Sequence, residues 1–187
     1  PSKDYRYTKT MMHAAPALWK KLMTVLTANT IDYLSAQVDA GAQAIQLFDS
    51  WVGVLSQSDF ERFVKPYSAK ILKAIQRKGV PVIHFGTGTT PFLKSFAQTG
   101  GDVVGVDWRP GLDAARKVIP ASQAIQGNLD PTLLLLPRPT LKPLVRDVVR
   151  RAQGRRGHIF NLGHGILPPT DPDTVKAVVD WVHAWTS

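Results

Sequence analysis

The chain of 187 residues contains no cysteine. It can therefore form no disulfide, present no thiolate nucleophile and build no zinc–thiolate centre, because each of these needs a cysteine sulfur. No apolar run approaches the roughly 20 residues that a transmembrane helix requires. The first ten residues, PSKDYRYTKT, also lack the apolar centre of a signal peptide. We therefore expect a cytoplasmic protein without a membrane span.

Acidic residues are scarce relative to basic ones, 14 against 23, which leaves a formal net charge of +9. Such an excess favours anionic partners, for example nucleic acid, anionic lipid or a polycarboxylate. Part of the excess lies in LVRDVVRRAQGRRGH, where Val145, Val148 and Val149 keep a helical spacing and arginines take the other face. No aromatic residues interleave with these arginines as a base-stacking surface would require. The arginines therefore indicate the exposed face of an outer helix, and no nucleic-acid partner is expected.

Short apolar runs alternate with longer amphipathic stretches, which is the pattern of repeated βα units. The predicted strands cover residues 44–48, 80–85, 102–106, 123–127 and 158–162. The predicted helices cover residues 17–40, 58–78, 90–98, 112–118, 141–152 and 172–185. No linker and no repeat beyond the βα period divide the chain, so we expect a single domain over residues 1–187.

Two architectures contain successive parallel βα units, the open doubly wound sheet and the closed barrel. The open sheet of dinucleotide-binding proteins carries three spaced glycines after a strand, whereas GTGTTPF has Gly86 and Gly88 but Pro91 at the third position. A closed barrel has eight strands, and this chain supplies five. The sequence thus predicts an α/β fold of the (β/α)8 TIM-barrel type with about five of the eight βα units present.

Polar clusters follow the predicted strands: DSW, GTGTT, DWRPG, NLDP and GHG. In a barrel the loops at the carboxyl ends of the strands build the active site. The histidine between Gly163 and Gly165 is either displayed to a ligand by its small neighbours or simply caps a strand-to-helix turn. Its shared rim with other polar residues favours the first interpretation. Those residues are Ser50, Asp107, Arg109, Asn128 and Asp130.

Five segments resemble, in order and approximate spacing, the motifs of the uroporphyrinogen decarboxylase family. They are GAQAIQLFDSWVGVLS, PVIHFGTGT, DVVGVDWR, QGNLDP and HIFNLGHGILPPTDP, and together they extend over essentially the whole chain. The resemblance implies a (β/α)8 enzyme without metal or cofactor that decarboxylates the four acetate side chains of uroporphyrinogen III. The product is coproporphyrinogen III, a precursor of haem and chlorophyll. Members of the family are homodimers, so a homodimer is expected here.

The resemblance also implies roles for individual residues. Ser50 matches a position that hydrogen-bonds a substrate carboxylate, His164 matches a histidine that contacts the substrate near an acetate, and Phe48 matches an aromatic lining of the cleft. The family's arginine-bearing segment, its essential aspartate and a substrate-binding tyrosine match positions before Pro1. No catalytic residue is therefore assigned within this chain, which we expect to be the C-terminal portion of the barrel and inactive by itself.

Other polar residues on the rim receive structural interpretations. Asp49 should not replace the family's aspartate, and Asp107 and Asp130 are expected to order their own loops, because aspartates readily bond nearby backbone in turns. Arg109 could meet a carboxylate or pair with a neighbouring loop acid. His84 lies in a predicted buried strand and is expected to be a structural histidine with satisfied hydrogen bonds.

Two alternatives remain open at the level of the sequence. Zinc-dependent corrinoid and thiol methyltransferases share this barrel, but they carry a His-x-Cys pair where this chain has His84, Phe85 and Gly86. Without the cysteine their soft thiolate site cannot form. The other alternative is a non-catalytic part of a barrel that binds a partner chain or an anionic tetrapyrrole, since an open sheet leaves unpaired edges.

Overall fold

A computed structural model describes residues 4–152 and 157–186 of the chain. Its centre is one sheet of five parallel strands, each paired with the next strand along the chain. The strands are β1 (Ile45–Phe48), β2 (Val82–Phe85), β3 (Val103–Gly105), β4 (Ala124–Leu129) and β5 (His158–Leu162). Each observed end lies within two residues of the predicted one. The α/β class, the parallel order and the five βα units are thus confirmed.

Helices connect successive strands, because parallel neighbours must be joined by a crossover. They are α1 (Arg6–Ala14), α2 (Pro16–Asp39), α3 (Gln57–Phe63), α4 (Lys65–Gln76), α5 (Leu93–Ala97), α6 (Leu112–Val118), α7 (Arg138–Ala152) and α8 (Pro172–Thr186). Short 310 turns occupy residues 52–54, 90–92 and 131–135. Among the described residues, no helix combines the length and the apolar character needed to cross a membrane.

The core lies between the helices and one face of the sheet. Side chains alternate between the two faces of a strand, so every second residue points towards the helices. Val104 of β3 and Ile125 of β4 are completely buried against Phe60 and Phe96. Burying an apolar side chain of this size contributes about 1.5–3 kcal/mol, which makes this layer the main support of the sheet.

The opposite face of the sheet is concave. Gln126 of β4 donates through Nε2 to Oε1 of Gln46 on β1 at 3.1 Å, although two strands lie between them. Neighbouring strands are about 4.8 Å apart, so a flat sheet would hold β1 and β4 about 14 Å apart. The curvature that brings these side chains together is that of a partial barrel. Phe48 on this face is 62% exposed.

Two features of the helical layer differ from prediction. The predicted helix 58–78 is two helices that meet at Val64, because Pro66 has no N–H to donate and its ring excludes a continuous helix. The sequence contained this signal. Helix α1 was not predicted: its N-terminus at Tyr5 has no side-chain cap, and only Met12 within it is buried.

The arginine-rich segment forms an outer helix face, as predicted. Val145 and Val149 of α7 are buried, whereas Arg150 and Arg151 pair with Asp147 on the outer side. Arg146 lies over the ring of Trp185 in α8. The remainder of that basic segment, residues 153–156, lies outside the described residues.

Candidate active site

The loops after β1 and β2 are held together by their backbones. Gly53 N–H donates to the carbonyl of Thr87 at 3.1 Å, and Thr87 N–H donates to the carbonyl of Ser50 at 3.1 Å. A side chain at Gly53 would place its Cβ only 2.2 Å from the Thr87 carbonyl oxygen. Glycine is therefore required at this contact, which fixes the position of Ser50.

The loop after β3 is anchored by Asp107, whose side chain is 1% exposed. Its carboxylate accepts hydrogen bonds from the backbone N–H of Gly88 at 2.6 Å and of Arg109 at 3.1 Å, and it pairs with the Arg109 guanidinium. Asn128 donates through Nδ2 to the carbonyls of Asp107 and Pro110 at 2.8 and 2.7 Å. The interpretation of Asp107 as a loop-ordering group is confirmed. Asn128, expected in a loop, is instead a buried residue of β4 that holds the loop after β3 in place.

The loop after β5 rests on the loop after β3. Gly163 N–H donates to the carbonyl of Leu129 at 2.7 Å. An added Cβ at Gly163 would lie 2.4 Å from the backbone nitrogen of Trp108, whereas one at Gly165 would meet nothing within 4 Å. Only the first of the two glycines beside His164 is thus required for packing, and its close contact brings the histidine over the sheet.

A cleft of about 400 Å³ opens at the carboxyl ends of β1, β2 and β5. Phe48, Ser50 and His164, the three residues assigned from the sequence, all line this cleft. The other lining residues are Gln46, Phe85, Asn161, Leu162, Gly165 and Ile166. Apolar side chains thus form much of the wall, and a few polar groups converge on the space between them. That composition is typical of a binding site for a small organic molecule.

His164 is held by one hydrogen bond and by aromatic rings. Its Nδ1 accepts the backbone N–H of Gly165 at 2.7 Å. In the neutral imidazole the proton therefore resides on Nε2, which becomes a hydrogen-bond donor. The ring centroids of Trp51, Phe85 and Trp108 lie 5.9, 6.5 and 6.2 Å from that of His164. This packing fixes the orientation of the imidazole before any ligand binds.

Ser50, Gln46 and Asn161 add further donors to the cleft. Within the described residues, the hydroxyl of Ser50 forms no hydrogen bond. Gln46 uses its side-chain oxygen to accept from Gln126, and Asn161 uses its own to accept from the backbone N–H of Leu162, so both retain a side-chain NH2 group. Gln46 and Asn161 were not singled out from the sequence. Their signal was the period of two along a strand, which puts Gln46 on the same face as Phe48.

The rim carboxylates are engaged elsewhere. Asp49 lies outside the cleft lining, where its Oδ2 accepts from Ser68 Oγ and faces His84 Nε2, both at 2.7 Å. Asp130 accepts from the backbone N–H of Thr132 at 2.9 Å, as expected for a loop-ordering residue.

His84 is fully buried and stacks on Phe96 with the ring centroids 4.0 Å apart. The prediction of a structural histidine is thus confirmed. Its hydrogen bonds are satisfied only in part, because Nδ1 is buried without a partner among the residues that the structure describes.

The polar groups of the cleft are neutral donors held by the scaffold. Neutral N–H and O–H donors bind carboxylates well when a fixed scaffold aims them at one place. In the part of the chain that the structure describes, no three His, Asp or Glu side chains are arranged to hold a metal ion. The described cleft therefore presents neutral hydrogen-bond donors between aromatic surfaces.

Comparison with solved structures supports the barrel assignment. A methyltransferase from Methanosarcina mazei superposes with a TM-score of 0.85 over 96% of this chain and 53% of its own, at 22% sequence identity. At that identity the likeness concerns the fold alone.

Comparison with sequences reaches further. The uroporphyrinogen decarboxylase of Salinispora tropica is 46% identical over all 187 residues, which match 50% of its length. That of Sorangium cellulosum is 51% identical over 183 residues, 98% of this chain and 52% of its own length. The chain thus spans about half the length of the curated relatives it matches. The sequence profile of the uroporphyrinogen decarboxylase (URO-D) family matches residues 1–185, and the chain belongs to that family.

Proposed function

We propose that this chain is the C-terminal portion of a uroporphyrinogen decarboxylase, and that its cleft holds carboxylates of the substrate. The whole enzyme converts uroporphyrinogen III to coproporphyrinogen III by removing carbon dioxide from four acetate side chains, without a cofactor. The observation that carries the proposal is the convergence of Ser50, His164 and the side-chain amides of Gln46 and Asn161 on one cleft with aromatic walls. The proposal includes the homodimer and the cytoplasmic location that the family resemblance implies.

The proposed task of these residues is orientation. The hydroxyl of Ser50 and Nε2–H of His164 donate to carboxylate oxygens, while Phe48 and Phe85 flank the macrocycle and exclude water. Holding the ring in one pose removes part of the entropic barrier to the reaction. Decarboxylation requires stabilisation of the cation formed when the pyrrole is protonated. The aspartate whose carboxylate stabilises that cation is proposed to lie in the half of the protein that the relatives possess beyond the matched region.

The test is turnover of uroporphyrinogen under anaerobic conditions, with products separated by chromatography. Two proteins are compared: this chain alone, and a chimera that joins the first half of the Salinispora tropica relative to its N-terminus. We expect conversion by the chimera and none by the chain alone. A correctly folded chimera without activity would contradict the proposed function. Turnover by the chain alone would contradict the proposal that the essential aspartate lies outside this chain.

Variants of the chimera test the individual residues. Ser50→Ala and His164→Ala each remove one donor to a carboxylate, and such bonds are worth about 1.5–3 kcal/mol. We therefore expect kcat/KM to fall about tenfold or more for each variant. Ser122→Ala is the matched control, because Ser122 is an exposed residue just before β4, at the opposite end of the sheet. Equal activity of all three variants would show that the cleft is assigned wrongly.

A second candidate is a non-catalytic protein that binds a partner chain or an anionic tetrapyrrole. The observation that favours it is the sheet itself, whose first and last strands, β1 and β5, each pair on one side only within the described residues. Such edges are surfaces for further strands. If the chimera binds uroporphyrin but never converts uroporphyrinogen, this second candidate is preferred.

A further inference from the structure

A second cavity, of about 610 Å³, lies beside the cleft between the loops after β1, β2 and β3. Tyr5, Trp51 and Arg109 contribute side chains to its lining. Trp51 separates this cavity from His164, because its ring also contacts the imidazole. The cavity is therefore a neighbour of the cleft and opens on the same rim.

Arg109 is fixed in place by two contacts. Its guanidinium pairs with the buried carboxylate of Asp107, and its central carbon lies 4.3 Å from the ring centroid of Trp108. The side chain nevertheless remains 49% exposed. A guanidinium has five N–H donors, so the ion pair leaves others for a ligand. Because the side chain is already ordered, little rotamer entropy is lost when a ligand binds.

The carboxylate of Asp107 already accepts from three donors, so its negative charge is largely compensated by groups of the protein. It accepts from the backbone of Gly88 and Arg109 as well as from the guanidinium. Tyr5 contributes a hydroxyl that forms no hydrogen bond within the described residues. The described lining thus includes the Arg109 guanidinium and the hydroxyl-bearing residues Tyr5 and Thr90, and donors of this kind favour a carboxylate.

The spacing relates this cavity to the cleft. The Trp108 ring contacts a residue of each site: its centroid lies 6.2 Å from that of the His164 ring and 4.3 Å from the central carbon of the Arg109 guanidinium. One macrocycle with carboxylates around its whole edge can therefore reach both sites. A single small anion could occupy only one of them.

We propose that Arg109, with Tyr5, forms a second carboxylate subsite, which binds one acid side chain of the macrocycle while Ser50 and His164 hold another. The subsite rests on the proposed function, because it assumes a guest with several carboxylates. Arg109 thus has both of the roles considered from the sequence: its pair with Asp107 positions the guanidinium, and its free donors bind the ligand.

The test measures binding of uroporphyrin III, the stable oxidised form with eight carboxylates, by fluorescence anisotropy on the 187-residue chain. Arg109→Gln should raise Kd about tenfold, in keeping with loss of a charge-assisted hydrogen bond. Arg109→Lys retains the charge but not the planar fork and should raise Kd by a smaller factor. Arg77→Gln is the matched control, since it removes the same charge from an exposed residue just before β2, at the far end of the sheet. It should change Kd less than twofold.

The outcomes separate the subsite from the cleft. Equal changes of Kd for Arg109→Gln and Arg77→Gln would overturn the subsite, because Arg109 would then act only through the net positive charge of the protein. Weaker binding by His164→Ala with no change for Arg109→Gln would overturn the subsite alone and leave the cleft in place. No binding by the parent chain would overturn both. If Arg109→Gln fails to fold, Tyr5→Phe and Arg109→Lys decide the question. Tyr5→Phe removes a single hydroxyl from the lining, and an unchanged Kd for both variants would overturn the subsite.

Discussion

The two glycines that flank His164 should respond oppositely to the same substitution. Gly163→Ala places a methyl group 2.4 Å from the Trp108 nitrogen and 2.9 Å from the Asp107 carbonyl carbon, and both of these are backbone atoms. Backbone cannot rotate away as a flexible side chain can. The loop after β5 must therefore move by about 1 Å from the loop after β3 to reach ordinary contact distance, which is the situation of an overpacked core.

The expected cost follows from that displacement. Overpacking of this kind costs about 1–3 kcal/mol of unfolding free energy. Gly165→Ala meets nothing within 4 Å, and Gly165 does not have a positive φ. It should therefore leave stability unchanged or raise it by up to about 1 kcal/mol, because alanine restricts the unfolded chain. The two variants differ in position by two residues and in stability by a predicted 1–4 kcal/mol.

Urea denaturation followed by tryptophan fluorescence measures this difference, since the midpoint shifts with stability at constant slope. Uroporphyrin binding by the same two variants shows whether movement of the loop also displaces His164, and we expect weaker binding only for Gly163→Ala. Equal midpoints for the two variants, or a larger loss for Gly165→Ala, would refute the close contact between these loops.

Two further predictions concern stability. Phe96→Ala should lower the free energy of unfolding by about 3–5 kcal/mol, because Phe96 is completely buried. Phe48 is 62% exposed, so Phe48→Ala should change stability little but weaken uroporphyrin binding. Comparable falls in melting temperature for the two variants would contradict this. Burial lowers the pKa of His158 below its usual 6.5, against the smaller opposing effect of its hydrogen bond to the Gly127 carbonyl. The folded state thus resists protonation of His158. The contribution of this residue to the free energy of unfolding should be fully present above about pH 6.5 and be lost as the pH drops below that value. Unfolding measured between pH 7.5 and 5 should show a shallower loss for His158→Gln, and parallel curves would show that His158 does not contribute.

Much of the fold could be predicted because the decisive signals are local. Strands β2 and β3 are short runs of apolar, mostly β-branched residues between turn residues, and such runs form buried parallel strands. The break at Val64 was equally local, but the prediction gave the continuous amphipathic pattern more weight than Pro66. Helix α1 could not be predicted in this way. It is stabilised by the packing of Met12 against Trp19 and Phe63, and not by the helix propensity of its own residues.

The candidate site was predicted in part for a similar reason. Residues after strand ends, such as Ser50 and His164, are recognisable from the order of elements alone. The period of two places Gln46 on the same face as Phe48, but that Gln46 and Asn161 reach one cleft depends on the curvature of the sheet, which no local pattern specifies. The pairing of Arg109 with Asp107 was one of two possibilities in the sequence, and only the structure shows that Arg109 also lines a cavity.

The proposal that one rim of the sheet binds the acid groups of a porphyrin-like ring can be examined residue by residue by NMR. Amide chemical shifts of the 15N-labelled chain are recorded during titration with uroporphyrin III. We predict that the perturbed amides cluster in residues 49–51, 86–90, 107–111 and 163–166, at the carboxyl ends of the strands. Perturbations confined to residues 79–81, 100–102 and 120–123, at the opposite ends, would contradict the assignment of the site.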